Sequence, residues 1–286
     1  MKIIKYFFEF IFIITFFFIF KIIGYKKAIF LGDIIGRKIG PYFRSNSKIQ
    51  KNLEISEIGN SINERQTIIN NMWGNYGKIL AEYVFIKEFR QKTLSKNIKV
   101  FGQNFLEEIK KDKRPVIFIS GHFNNFELMA MHLEKSDIDL AAIYRPLNNK
   151  FLNPIMEQIR KKYICKKQIK KGIAGTKELL QNFKNGSSIA LMIDQRVTEG
   201  VMCDFFGQKA RTTTIPAQFV KKFNAKIVPV YIQRFDNNKF KLEFDSDIEF
   251  KSDETLEAIT LKLNKILEEM ILKNPDQWIW THNRWK

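Results

Sequence analysis

The sequence predicts an α/β fold, with a central mixed, mostly parallel sheet flanked by helices, behind an N-terminal membrane-anchor helix. Three observations carry this. From about residue 98 short apolar β-type runs alternate with helical patterns, the texture of a layered α/β fold. From Ala28 to about Lys96 the pattern is helical. Ahead of that, Ile3–Ile23 is almost wholly apolar. The expected organisation is an anchor over 1–24, a helical membrane-proximal lead-in over 25–97 and an α/β domain over 98–286, within a length that allows ample core.

In the apolar run only Lys5, Glu9, Thr15 and Lys21 are polar, and Phe10–Phe20 has no charge. About 20 such residues suffice for a helix to cross the hydrocarbon layer. A cleaved signal peptide is the rival, but no small-residue cleavage site follows; Gly24-Tyr25-Lys26 is a poor one. Glu9 keeps an in-plane anchor open. Lys2 and Lys5 precede the run, and Lys21, Lys26, Lys27, Arg37, Lys38 and Arg44 follow it. The positive-inside rule then puts the main domain in the cytoplasm.

In the lead-in, Gly32, Gly36 and Gly40 recur every four residues. They form either a small-residue face for close helix approach or a frayed helix. Glu64–Phe85 carries the apolar stripe of an amphipathic helix, with Trp73, Tyr76 and Tyr83 reading as core.

In the α/β domain the β-type runs are Val116–Ser120, Leu140–Tyr144, Ser188–Ile193, Lys226–Gln233 and Lys239–Phe244. Helical patterns cover Asn125–Lys135, Asn153–Lys162, Gly175–Lys184, Ile215–Phe223 and Glu254–Leu272. The last two strands, joined through Asp236-Asn237-Asn238, read as a hairpin. In open α/β sheets ligands collect at the carboxyl ends of the strands. Gly121-His122 and Asp194-Gln195-Arg196 both fall there.

The chain has 48 basic and 30 acidic residues, net +18. Such a charge favours anionic partners, although Lys is frequent throughout and part of the excess is compositional. Cys165 and Cys203 lie in no Cys/His cluster, so neither a metal site nor a disulfide framework is predicted. Dinucleotide, Walker, H-E-x-x-H and G-x-S-x-G motifs are all missing, and no cofactor is expected.

The chemistry centres on Arg114–Glu127, RPVIFISGHFNNFE. An apolar strand runs through a Gly-His turn into a helix, with Asn124-Asn125 as capping residues and Glu127 in the first turn, where its charge suits the helix dipole. On one continuous helix His122 and Glu127 would diverge by roughly 140°. With His122 in the turn, the carboxylate can reach back to one ring nitrogen and leave the other to take a proton from a hydroxyl. The plainer alternative is a capping carboxylate beside an incidental histidine. Arg145 ends the next β-run and could bind an anion. Arg160 opens a basic region with Lys161, Lys162, Lys166, Lys167, Lys170 and Lys171, either a solvated face or a footprint for phosphate or an acidic protein. Asp194 could orient an arginine or an acceptor. The Thr212-Thr213-Thr214 turn before Pro216 caps a helix whose free N–H groups can hold an anion.

These residues together resemble the lipid A late acyltransferase family, the lauroyl/myristoyl acyltransferases of the glycerolipid acyltransferase-like superfamily. The matching elements are the anchor, Gly121-His122-Phe123-Asn124-Asn125-Phe126-Glu127, Tyr144-Arg145-Pro146 with Asn148-Asn149, Arg160, Asp194-Gln195, Phe205-Phe206-Gly207, the Thr-rich turn before Pro216-Ala217, and Gln277-Trp278-Ile279-Trp280 with Arg284-Trp285. His-x4-Glu alone is common; the ordered set is specific. The family usually carries Gly-Asn-Trp between His and Glu, where this chain has Asn124-Asn125-Phe126, and its segment after Arg160 is less lysine-rich.

The resemblance implies acyl transfer from acyl carrier protein to a hydroxyl of a lipid A precursor at the bacterial inner membrane. His122 would be the base, Glu127 its orienting partner, and Arg160 a stabiliser of negative charge. Arg145, Asp194, Gln195, Asn125, Lys161 and Lys162 are the expected substrate-binding residues. An acidic carrier, a phosphorylated glycolipid and an anionic leaflet would together suit the basic surface; nucleic acid is not expected. Transfer to a lysophospholipid or other glycolipid, a thioesterase, and a non-catalytic binder of anionic lipids are the rivals.

Overall fold

The computed structural model describes residues 2–236 and 238–286. Helices α1 (Lys2–Ile23), α2 (Tyr25–Phe43), α3 (Asn46–Ile55), α4 (Ile62–Glu82), α5 (Ile86–Arg90) and α6 (Lys92–Ser95) come first. They are followed by β1 (Ile98–Phe101), α7 (Gln103–Asp112), β2 (Ile117–Ser120), α8 (Glu127–Lys135), β3 (Leu140–Tyr144), α9 (Leu152–Tyr163), β4 (Lys167–Lys170), α10 (Ile173–Lys184) and β5 (Ser188–Met192). The chain closes with β6 (Val201–Phe205), β7 (Gln208–Thr212), α11 (Ile215–Phe223), β8 (Ile227–Phe235), β9 (Lys239–Phe244) and α12 (Leu256–Lys273).

Seven strands form one sheet in the order β1-β9-β8-β2-β5-β3-β4. Every neighbouring pair is parallel except β8–β9. This is the mixed, mostly parallel sheet that the alternating texture predicts. The β8–β9 pair is the expected antiparallel hairpin; of its turn, Asn237 lies outside the described residues. The centre of the sheet is β2, buried along its whole length between β8 and β5, as continuous apolar runs in parallel sheets require.

Sequence periodicity missed β1, β4 and the separate β6–β7 hairpin. The reason is local. The β4 segment, Lys-Gln-Ile-Lys, offers one apolar side chain, Ile169, and forms the sheet's edge. Lysines on an edge strand discourage pairing with another chain. Here Lys167 pairs with Asp139 (2.7 Å) and Lys170 with Glu157 (3.6 Å), so much of the basic run after Arg160 is a solvated sheet edge.

The lead-in docks through glycine. A Cβ on Gly36 would lie 2.1 Å from the carbonyl oxygen of Trp73, and one on Gly77 would lie 1.8 Å from that of Gly32. The four-residue glycine repeat is therefore a contact face that lets α2 and α4 touch backbone to backbone. Where α4 meets the sheet, Glu82 is fully buried and pairs with the buried Arg234 of β8. Arg234 Nε donates to Asn75 (3.2 Å), and Asn125 donates to Glu82 (3.1 Å).

One face of α1 packs on the body. Phe10, Ile13, Ile14 and Phe17 surround Tyr83, Leu152 and Met156, and Phe20 is fully buried. The other face exposes Phe7, Phe8, Ile11, Phe12, Phe18 and Ile22. Among the described residues, α1 alone is long and apolar enough to cross a membrane, by length and composition. Its Tyr6 carbonyl accepts a hydrogen bond from Asn149 (2.8 Å), whose side-chain oxygen in turn receives the amides of Phe151 and Leu152 at the start of α9.

Two substitutions test this docking. Gly36→Leu should destabilise the protein by about 1–3 kcal/mol or more, because the added side chain meets backbone that cannot retreat; Ala on the exposed face of α2 at Lys38 should not. Glu82→Gln should cost about 3–5 kcal/mol, since Arg234 is left charged and buried without its partner. Denaturant midpoints read both, and an unshifted midpoint for either variant would refute the corresponding contact.

Candidate active site

Parallel strands β2 and β5 run in register with Ser120 opposite Met192, and the Ile193 amide donates to the Ser120 carbonyl (3.0 Å). Two residues further along each chain, His122 and Asp194 face each other at the carboxyl end of the sheet. Asp194 Oδ1 accepts from His122 Nδ1 (2.7 Å), and Oδ2 accepts from the His122 amide (2.8 Å) and from Trp278 Nε1 (2.9 Å). The Asp194 side chain has 0 % exposure, while that of His122 keeps 22 %. Burial opposes the Asp194 charge, but the His122 ring and these donors outweigh it and hold its carboxyl below the usual carboxylate range. A carboxylate on Nδ1 fixes the ring with its proton there and leaves Nε2 as the basic nitrogen. Gln195 Nε2 lies 3.5 Å from Nε2, and Phe126 meets the ring edge-on with centroids 4.7 Å apart.

Glu127 begins α8 and makes different contacts from the expected ones. Instead of meeting the His122 ring, it accepts from Arg160 Nε (2.7 Å) and from the Tyr83 hydroxyl. Arg160 Nη2 also donates to the Tyr83 oxygen (3.0 Å). Burial disfavours the Arg160 charge, but Glu127 and Tyr83 more than offset this and raise its pKa. Burial, then the neighbouring Glu127, raises that of Tyr83 well above the ordinary phenol value. The result is an ion pair with a phenol wedged against both partners, built from α8, α9 and the turn after α4.

The loop between His122 and Glu127 explains the departure at Asn124. Its φ is +44°, a left-handed conformation that favours Gly and that Asn tolerates best among the other residues. Asn therefore preserves the backbone path where Gly is usual. Asn124 Nδ2 also donates to the Ile232 carbonyl (3.2 Å) and to Gln277 (2.5 Å).

A cleft of about 1190 Å³ opens at the carboxyl ends of β2, β3, β4 and β5. His122, Glu127, Arg160, Arg145 and Gln195 all line it. So do Lys171, Thr213 and Thr214, the last two at the start of α11. Four residues expected at the substrate stand elsewhere. Asp194 lies beneath His122, sealed from the cleft. Asn125 is fully buried and engaged with Glu82. Lys161 and Lys162 point outward from α9, where they border a separate shallow depression with Pro154, Glu157 and Gln158. On a helix they cannot face the cleft with Arg160, because successive residues are turned by about 100°.

Ser120, two residues before His122, donates its hydroxyl to the Val230 carbonyl (2.7 Å) and is buried. Burial pushes the Cys165 thiol up to about 12, with Glu134 adding to the shift. Tyr83, Trp278 and His282 went unread as site residues, since each reads as core or tail in one dimension. Trp278 meets Asp194 from 84 positions along the chain, and His282 Nε2 accepts the Arg196 amide (2.8 Å) from 86.

A lipid A biosynthesis palmitoleoyltransferase of Escherichia coli is 24% identical over 271 residues, covering 92% of this chain and 86% of that one. A lipid A biosynthesis lauroyltransferase of the same organism is 22% identical over 264 residues, covering 90% and 84%. Among solved structures, the crystal structure of a 1-acyl-sn-glycerophosphate acyltransferase of Thermotoga maritima is similar at a TM-score of 0.42 and 15% identity, over 87% of this chain and 98% of that one. The model of the bacterial lipid A biosynthesis acyltransferase family matches residues 1–286, and with every element described above inside that match, this chain belongs to that family.

Proposed function

We propose that the chain moves a fatty acyl group from the thioester of acyl carrier protein to a hydroxyl of a lipid A precursor, with His122 as general base. The family makes it an acyltransferase of lipid A biosynthesis; the donor and the residue roles are this reading's own. The observation that carries it is the His122 ring, held at Nδ1 by a buried carboxylate and presenting its other edge to the cleft.

In this reading His122 Nε2 takes the proton of the acceptor hydroxyl as its oxygen attacks the thioester carbonyl. The tetrahedral intermediate collapses by breaking the C–S bond, and the imidazolium returns the proton to the leaving thiolate. Asp194 fills the orienting role first expected of Glu127. Glu127 and Tyr83 instead hold Arg160, whose Nη1 has no partner among the described residues, so its charge serves the oxyanion. Gln195 and Arg145 contact substrate.

The segments 1–24, 25–97 and 98–286 serve as anchor, membrane-proximal lead-in and catalytic domain. The exposed apolar face of α1 supports seating at the inner membrane, with the catalytic domain on the cytoplasmic side. The net charge of +18 suits an acidic carrier and an anionic leaflet.

His122→Ala should lower kcat by about 10²-fold or more, the scale of lost general-base catalysis; Glu127→Ala should also lower kcat, because Arg160 loses the carboxylate that holds its charge for the oxyanion. Asp194→Asn, nearly isosteric, should cause a loss of similar order and displace the acidic limb of the pH–rate profile. A folded Asp194→Asn enzyme with an unchanged profile would detach Asp194 from the base. Lipid A from cells with and without the gene should differ in mass by one acyl chain; identical spectra would remove the lipid acceptor from the reading.

A further inference from the structure

Most arginines of this protein face a carboxylate: Arg37, Arg65, Arg90, Arg114, Arg160 and Arg234 all do. Three that line the cleft, Arg44, Arg145 and Arg196, have no carboxylate partner among the described residues. Two of these three share a support. Arg44 directly follows α2, and its Nε donates to the Thr281 carbonyl (3.1 Å). Arg196 receives its support from the next residue, through the bond from its amide to His282 Nε2 (2.8 Å). The Thr281–His282 segment is itself pinned by the bond between Tyr76 and Thr281 hydroxyls (3.1 Å) and by Asn52 donating to the His282 carbonyl (2.9 Å).

We propose, resting on the acyl-transfer reading, that Arg44 and Arg196 form a phosphate subsite for the lipid acceptor at the membrane-side edge of the cleft.

Two observations and one general property of arginine support this. Arg196 Nε is buried and finds no acceptor among the described residues, which an incoming anion would supply. Guanidinium forks match phosphate oxygens two at a time. The neighbours of Arg44 also fix which phosphate is meant. Tyr42 and Phe43 are 89 % and 74 % exposed at the end of α2, and exposed aromatics beside a cation suit the headgroup level of a bilayer. A phosphate reaching this edge therefore arrives on a lipid. His282 adds no charge of its own. Burial lowers its pKa to about 4, so at neutral pH its ring accepts the Arg196 amide as an uncharged base.

The test uses the full chain in nanodiscs, with a disaccharide glycolipid bearing phosphate monoesters and the same lipid after phosphatase treatment. Binding is titrated without donor, and transfer is then measured with acyl carrier protein thioester. Removing the phosphate should weaken wild-type binding by roughly 10–100-fold, the range of charge-assisted hydrogen bonds. Arg44→Ala and Arg196→Ala should raise KM for the phosphorylated acceptor about tenfold or more, with kcat changed far less, and should lose most of the preference between the two lipids. Arg44→Lys, which retains charge at an exposed position, should recover part of it and guards against a folding artefact. The proposal fails if wild type binds both lipids equally, or if the variants raise KM for the donor instead, which would assign the phosphate to the carrier's prosthetic arm. It also fails if inorganic phosphate at micromolar concentration displaces the lipid, which would mark a site for the free ion. Phosphate-dependent binding without any transfer would sink the acyl-transfer reading and leave the subsite standing.

Discussion

The ion pair between Glu82 and Arg234 is the interaction on which the rest of the structure depends. Both groups are removed from water, and a buried charge is tolerable only with its partner and with its remaining hydrogen bonds filled. Asn75 and Asn125 fill them. The pair thus fixes the end of α4 against β8 and, through Asn125, fixes the loop that carries His122. The next residue in the chain is Tyr83, which touches Glu127 and Arg160. Two adjacent side chains at one helix end set both the docking of the helical lead-in and one wall of the cleft. A segment that reads in sequence as a support to the α/β domain is in space part of its site.

The two carboxylates of the site are divided between two tasks by their surroundings. Asp194 sits dry beneath the sheet edge, accepts three N–H donors and holds one ring. Glu127 sits at a helix start and holds a guanidinium. Had Glu127 also reached His122, Arg160 would be left in a largely buried position with its charge uncompensated, at a cost of several kcal/mol. The register of β2 against β5 makes the division possible, because it delivers a carboxylate to the ring without help from the helix. Trp278 completes the arrangement from the far end of the chain, so the C-terminal aromatic segment both seals the core and sets the donor count on Asp194.

The N-terminal apolar helix is tied to the helix that carries Arg160. Asn149 binds the Tyr6 carbonyl of α1 with one end of its amide and caps α9 with the other. Since α9 carries Arg160, the apolar helix and the charged wall of the site share a rigid link. Phe151 continues the contact, with its ring against Phe7 and Phe10. Through this link the apolar helix is tied to the helix that carries the cleft-lining Arg160. Arg44 lines the cleft where α2 ends in exposed aromatics.

What the sequence determined by itself is what local physics controls. Apolar runs and helical stripes are readable because side-chain period follows backbone geometry, so β3, β9 and α11 were bounded to the residue and the sheet class followed. The turn at Gly121-His122 and the strand end at Asp194 could be placed at the functional edge, since parallel strands present their carboxyl ends together. The ordered motifs supplied the family. Only the tertiary structure decided which carboxylate meets the histidine. Glu127 is five residues away and Asp194 seventy-two, and sequence reasoning favours the near one. The choice rests on strand register, which depends on how apolar faces pack across the sheet and leaves no mark in a linear pattern. The same holds for Tyr83, whose phenol reads as core until a buried arginine is found beside it. Lys161 and Lys162 show the converse: adjacency to Arg160 in the chain is separation in space, because a helix turns neighbours away from one another.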